Sequence, residues 1–307
     1  MDYYYRKFLT DSAESYLRAF RIGEICHIIL RHRIDIISSK LPKIITSSDI
    51  DQGAYAYFLL QYGSKEQQSQ LPLIVRRLIA NNDPLGNYIY GSMLYFGIGV
   101  SVNQSLGTDY FKKASLQNLA LAKFQLGKIM LNSDESRGME LIREAASQGY
   151  SDAKWFVGAA YYLGRYGYSQ DKFNAFDFFS DGSNLNDPKC KYRLAIMYKN
   201  GEGYTDVDIN KYIELMKEAA GLEDETAMMH CARDYYAGEY FPKSYDNSFY
   251  YFKQCAERGN LEAMYFLGRF YIEGIGCFPN EQEGLNWIRK AKDKGYKDAI
   301  EFLNRYR

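Results

Sequence analysis

The chain has 307 residues with 38 basic and 38 acidic side chains, so its formal charge is zero, and long-range attraction to nucleic acid or an anionic membrane is set aside as a basis for recognition. A composition of 47% apolar and 25% charged residues with only 6 Pro argues against disorder and for a sizeable buried core, in two globular domains or one elongated array. Aromatic residues make up 16% of the chain, including 30 Tyr, and with no net charge recognition must come from local contacts.

The first fifteen residues carry Asp2, Arg6, Lys7, Asp11 and Glu14 and no continuous apolar run, so no signal peptide is expected. The apolar stretch Ile25 to Leu30 contains His27 and falls far short of the roughly 20 residues a membrane-spanning helix requires. Cys26, Cys190, Cys231, Cys255 and Cys277 form no CxxC, which suits reduced thiols and a cytoplasmic address, with the nucleus also open. Ser12 is placed to cap a helix through Tyr16, Leu17 and Phe20, and residues 1–48 read as a helical cap of no recognised family. Residues 49–83 read as a divergent repeat, with one helix over Asp51 to Tyr62 and another over Leu71 to Asn82, where Leu78 stands eight residues before Gly86.

From residue 84 onward the chain repeats itself. A small residue recurs at Gly86, Ala122, Ala153, Cys190, Ala227, Ala263 and Ala299, in steps of 36, 31, 37, 37, 36 and 36 residues. Four positions later stand Tyr90, Leu126, Val157, Leu194, Cys231, Leu267 and Leu303, and four beyond that Leu94, Met130, Tyr161, Tyr198, Tyr235 and Tyr271, one stripe of a helix. Glycine stops most of these helices, at Gly97, Gly164, Gly201, Gly238 and Gly274, with a second at Gly99, Gly203 and Gly276. A second helix then carries an anchor (Tyr110, Leu141, Phe178, Leu215, Tyr251, Trp287) and, four later, a small residue (Ala114, Ala145, Gly182, Ala219, Cys255, Ala291). That residue precedes the next unit's first small residue by eight in all six cases. The short step falls where Met130 to Asp134 replaces the glycine loop, a tolerated place for a deletion.

The pattern A-x-x-x-L-G-x-x-Y-x-x-G-x-G followed by an anchor and K-A or E-A-A resembles the Sel1-like repeat family, a relative of tetratricopeptide repeats. The fullest copy is Ala263, Leu267, Gly268, Tyr271, Gly274, Gly276, Trp287, Lys290, Ala291, Gly295 and Ala299. The resemblance implies an all-α, right-handed superhelical α-solenoid of antiparallel helix pairs, with about six repeats and a C-terminal half-repeat over 84–307. It departs at Tyr166 and Tyr240, which take the second-glycine position, so those loops are expected to differ in shape. Proteins similar to this one serve in signalling, endoplasmic-reticulum quality control and pathogen–host contacts, and the missing signal and span weigh against the luminal role.

Ser151 and Lys154 spell S-x-x-K, the nucleophile motif of serine β-lactamases, but S-D-N and K-T-G are missing and register gives Ser151 to helix capping. A hydrolase using Ser151 and Lys154 is the alternative function. Glu24 and His27 form one E-x-x-H where a di-iron site needs two, His32 shares no face with His27, and neither metal nor cofactor is expected. The remaining surface comprises Tyr88, Phe124, Trp155, Tyr192, Met229 and Tyr265, two after each small residue, and Lys128, Ile196, Arg233 and Arg269, six after it. Both sets turn away from the packing stripe toward the concave face. The first set is also open to inter-repeat packing, whereas Lys128, Arg233 and Arg269 suit acidic side chains. The reading is a non-catalytic adaptor or scaffold for a protein or peptide partner, with self-association through Asp298 to Arg307 a further possibility.

Overall fold

A computed structural model describes residues 49–306, whose regular elements are all α-helices. The expected cap over 1–48, with Ser12, Glu24, Cys26, His27 and His32, lies outside the described residues. Helices α1 (Asp49–Tyr62), α2 (Lys65–Gln68) and α3 (Leu71–Ala80) come first. Six pairs follow: α4 (Pro84–Phe96) with α5 (Gln104–Leu116), α6 (Ala120–Met130) with α7 (Glu135–Ser147), and α8 (Ser151–Leu163) with α9 (Lys172–Asn184). The others are α10 (Pro188–Asn200) with α11 (Ile209–Gly221), α12 (Glu225–Ala237) with α13 (Tyr245–Glu257), and α14 (Leu261–Glu273) with α15 (Glu281–Asp293); α16 (Lys297–Arg305) ends the array. The chain forms two compact units that divide between Ala153 and Lys154. Within each, helices pack on their sequence neighbours, the order of an α-solenoid of helix pairs.

The small-residue stripe is the core. Ala122, Cys190, Ala227, Ala263 and Ala299 of the first helices and Ala114, Ala145, Ala219, Cys255 and Ala291 of the second are all fully buried. Their constant eight-residue spacing has a local cause. The turn between units passes through one left-handed residue (Asn82, Asn118, Gly149, Asn186, Glu223, Gly259 or Gly295). An N-cap then follows, and Asp83, Asp187, Asp224 and Asn260 each accept from the amide of the small residue itself.

The second-helix anchors need a correction. Leu141 and Leu215 are buried as expected, but Tyr110, Phe178, Tyr251 and Trp287 are only half-buried, and the most fully sealed side chains stand one residue later, at Phe111, Ile142, Phe179, Met216, Phe252 and Ile288. These are three residues before the small position and share its face, while the expected anchors lie 100° round the helix toward its rim. The short second unit is as expected: α6 ends at Met130 and Asp134 already caps α7.

The first helix crosses the second at bare backbone in three pairs. A Cβ on Gly268 would lie 2.7 Å from the Gly284 carbonyl oxygen, and one on Gly284 would lie 2.5 Å from that of Gly268; Gly127 with Gly138 and Gly91 with Gly107 repeat the arrangement. Only glycine allows this approach, which explains glycine in helix interiors where it costs about 1 kcal/mol. The G-x-G loop has two different reasons. Gly274 takes φ 70° as the C-cap of α14, and Gly276, at φ 66°, also lies against the Tyr245 carbonyl at the start of the preceding unit's second helix. Of the two departures, Tyr166 keeps a left-handed φ of 56° and stacks on Phe156, while Tyr240 leaves that conformation and the next residue, Phe241, is buried.

Candidate partner-binding face

Lys154 is held in a recurring ion pair. Its ammonium lies 2.6 Å from Asp181 on α9, as Lys123 lies 2.6 Å from Glu144 and Lys191 lies 2.6 Å from Glu218 in the units on either side. In each pair the lysine follows the small residue of the first helix, and the carboxylate precedes the small residue of the second. The aliphatic stems are buried and the carboxylates reach solvent, so the lysine covers the seam between two helices and keeps its charge satisfied. Ser151 is the first residue of α8 rather than its cap, and it is buried. It stands one position past the residues that cap other first helices, such as Asp187 and Asp224.

The ten partner-binding candidates divide by burial. Tyr88, Phe124 and Met229 are buried, with Tyr88 between Tyr57 and Phe111 and Phe124 edge-on to Tyr150. Burial raises the Tyr88 phenol to about 12. Lys128 is exposed, with its ammonium 4.7 Å above the Phe124 ring. In the compact unit that begins at Lys154, Trp155, Tyr192, Ile196 and Tyr265 are half-buried. There the side chains of successive first helices meet one another. Lys189 of α10 lies 5.5 Å from the Trp155 ring of α8, and the Tyr192 hydroxyl is 3.2 Å from His230 Nε2 of α12; Arg193, next to Tyr192 in α10, lies 5.6 Å from its ring. Burial first, then Arg233, holds the His230 imidazole below its ordinary value, so it is neutral at physiological pH.

Arg233 and Arg269 are already paired. Arg233 donates to both carboxylate oxygens of Glu262 from Nη2 at 2.6 and 2.7 Å and to one of them from Nε at 3.2 Å, and Arg269 binds Glu273 one turn on at 2.7 Å. Any acidic ligand must displace these glutamates, which weakens the argument from charge that the residue types alone suggest. Tyr265 leans on Tyr296 and Phe302 and borders an open cleft of about 290 Å³ that Asp298, Glu301, Arg305 and Tyr306 complete.

One pair escapes sequence reading although register gives it away. Tyr212 occupies a second-helix position where Gly107, Gly138, Ala175, Ser248 and Gly284 stand elsewhere. Asp234 occupies a first-helix position otherwise held by Met93, Ile129, Ala160, Met197 and Phe270. Both are buried, and the Tyr212 hydroxyl donates to the Asp234 carboxylate across the junction of the fourth and fifth pairs. Burial above all raises the phenol well beyond its usual range. Among the described residues, no group of His, Cys, Asp and Glu is placed to hold a metal ion, and no helix is long and apolar enough to cross a membrane.

Helix pairs stacked on small residues, closed by glycine loops and presenting a first-helix face, define an α-solenoid repeat protein. More particularly, the chain belongs to the Sel1 repeat family, whose pattern matches residues 84–119, 120–150, 151–187, 188–224, 226–260 and 261–296. It is 28% identical over 171 residues to chitin synthase regulatory factor 2 of Schizosaccharomyces pombe, across 52% of this chain and 33% of that one. It is 27% identical over 184 residues to an ERAD-associated E3 ubiquitin-protein ligase component of Arabidopsis thaliana, across 53% of this chain and 25% of that one. The chain thus spans a third or less of the curated relatives it matches. A Sel1 repeat protein from Oxalobacter formigenes shares the fold at a TM-score of 0.67 and 23% identity, covering 79% of this chain and 99% of that one.

Proposed function

We propose that the chain is a non-catalytic adaptor that holds a protein or peptide partner on the face built by its first helices, the concave face that the superhelical repeat implies. The observation that carries this reading is the succession, in the compact unit from Lys154 onward, of Trp155 with Lys189, Tyr192 with Arg193 and His230, Arg233 with Glu262, and Tyr265. Half-exposed Trp, Tyr and Arg are the side chains that dominate protein interfaces, and here neighbouring helices fix them in place, so little ordering entropy remains to be lost on binding. Relatives named as a regulatory factor and as a ligase component support the adaptor class. The recurring lysine pair speaks against a hydrolase, because Lys154 does in its unit what Lys123 and Lys191 do in theirs.

On this reading residues 49–83 are a divergent first repeat. The Gln68 carbonyl stands against Gly99 as that of Tyr245 stands against Gly276, which supports the assignment of α2 and α3 as an interrupted second helix. A cytoplasmic or nuclear setting suits the free thiols of Cys231, Cys255 and Cys277. Affinity purification with the full chain tests the adaptor role. Trp155→Ala with Arg233→Glu is expected to lose the co-purifying partner while the helical signal stays intact; an unchanged set of recovered proteins overturns the assignment of this face.

A further inference from the structure

The edge where first helices hand over to second helices carries apolar side chains that the core does not use. Between the third and fourth pairs, Phe173 at the start of α9 is 53% exposed, and Tyr204 and Val207 in the loop before α11 are 62% and 60% exposed. Phe173 and Tyr204 meet edge-to-face with ring centroids 5.0 Å apart, so the two rings form one preset platform rather than separate exposed side chains. The loop repeats the left-handed glycine geometry at Gly201 and Gly203, and a Cβ on Gly203 would lie 2.9 Å from Cβ of Phe176. That close approach pins the loop, and Tyr204 with it, against α9. An ordered pair of exposed rings is the kind of surface that folded proteins keep for a partner.

Carboxylates dominate the charge around the platform. Residues 200–208 contain Glu202, Asp206 and Asp208 and no cation. Asp177 accepts from the Tyr204 hydroxyl at 3.3 Å and is exposed. Asp171 caps α9 beside the other ring of the platform, its carboxylate accepting from the amides of Phe173 and Asn174 at 2.9 and 3.0 Å. The nearby cation Lys172 is already bound to Glu202 at 2.7 Å. Asp206 is exposed and next in chain to Val207. Exposed aromatic faces ringed by carboxylates are complementary to Lys or Arg side chains, which pair with the acids and lie over the rings, and they repel anionic lipid.

We infer that this edge is a second docking surface, separate from the first-helix face, and that its ligand is a basic peptide segment whose Lys or Arg residues alternate with apolar ones. The test is fluorescence anisotropy of the full chain with a fluorescein-labelled decapeptide of alternating Arg and Leu, beside its Glu and Leu counterpart. The chain binds the Arg peptide and not the Glu peptide. Tyr204→Ala with Asp206→Lys weakens that binding at least tenfold with an unchanged thermal midpoint, while Glu135→Lys, on a different helix, leaves it within twofold. Equal binding of both peptides, an equal loss with Glu135→Lys, or Tyr204-dependent binding to neutral phosphatidylcholine vesicles in place of the peptide would each overturn the inference. Trp155→Ala with Arg233→Glu leaves peptide binding unchanged, so failure here and failure of the adaptor face are read separately.

Discussion

The sixth helix pair and the junction of the fourth and fifth solve the same packing problem by opposite means. In the sixth pair the crossing is made by removing atoms: Gly268 and Gly284 lay each helix on the other's carbonyl oxygens. At the junction it is made by adding them. Tyr212 fills the position that Gly284 leaves bare and bonds Asp234 of the next pair; inside the fifth pair, Ser248 at the same register of α13 donates to the Ala232 carbonyl at 2.7 Å. A bare crossing specifies only closeness, whereas a hydrogen-bonded one also specifies which pair lies next, because Asp234 belongs to the following unit. A repeat array can thus mark one junction as unlike the others while keeping the same fold.

The largest effect expected from breaking this contrast is at Tyr212. Tyr212→Ala removes a sealed ring and strands Asp234, and should lower the unfolding free energy by about 3–5 kcal/mol in urea titrations. Gly284→Ala should cost about 1–3 kcal/mol, even though alanine is the better helix former, because the new methyl meets backbone that cannot rotate away. Tyr212→Phe keeps the ring and loses the hydroxyl, and is expected to cost about 1–3 kcal/mol. A value near zero for Tyr212→Phe would reduce the junction to packing alone and remove the distinction between the two crossings.

The repeat was legible in the sequence because it is written in residue size: alanine and glycine at fixed intervals force close helices, and no distant information is needed to see them. Residue size alone does not separate the half-buried anchors Tyr110, Phe178, Tyr251 and Trp287 from the sealed residue that follows each. Adjacent bulky positions such as Tyr110 and Phe111, or Phe178 and Phe179, both recur at the repeat period, and only three-dimensional packing tells rim from core. The binding candidates were harder still. Register alone puts Tyr88 and Tyr192 in one class, yet the first is sealed by Tyr57 and Phe111 and the second is open enough to meet His230. The charge of Arg233 likewise reads as available in the sequence, but Glu262 from the next first helix pairs with it. Departures from the repeat, Tyr212 and Asp234 above all, were visible as letters but gained meaning only as a pair.

A smaller effect separates a structural lysine from a functional one. Lys154→Met and Lys191→Met keep the buried stem and remove an ion pair whose carboxylate stays solvated, so each should cost about 1 kcal/mol or less. The two costs should agree, because the pairs occupy the same register. A Lys154→Met cost several-fold larger than that of Lys191→Met would mean that the third unit uses its lysine for something the fourth does not.

The smallest effect is a pH dependence confined to the junction's outer face. His230 has its imidazole held below the ordinary 6.5 by burial and by Arg233, so the unfolded chain takes up this proton more readily than the folded one. Stability from keeping the ring neutral is complete above pH 6.5 and is lost as pH falls below it. His230→Gln keeps a polar group near Tyr192 and removes the titration. Urea midpoints of the two proteins should therefore differ by a constant above pH 7.5 and converge as pH drops from 6.5 toward 5. Parallel midpoints across the whole range would show that the ring is as free to protonate in the fold as outside it. The contact with Tyr192 would then be an exposed one, and the first-helix face would be wetter than its side-chain succession implies.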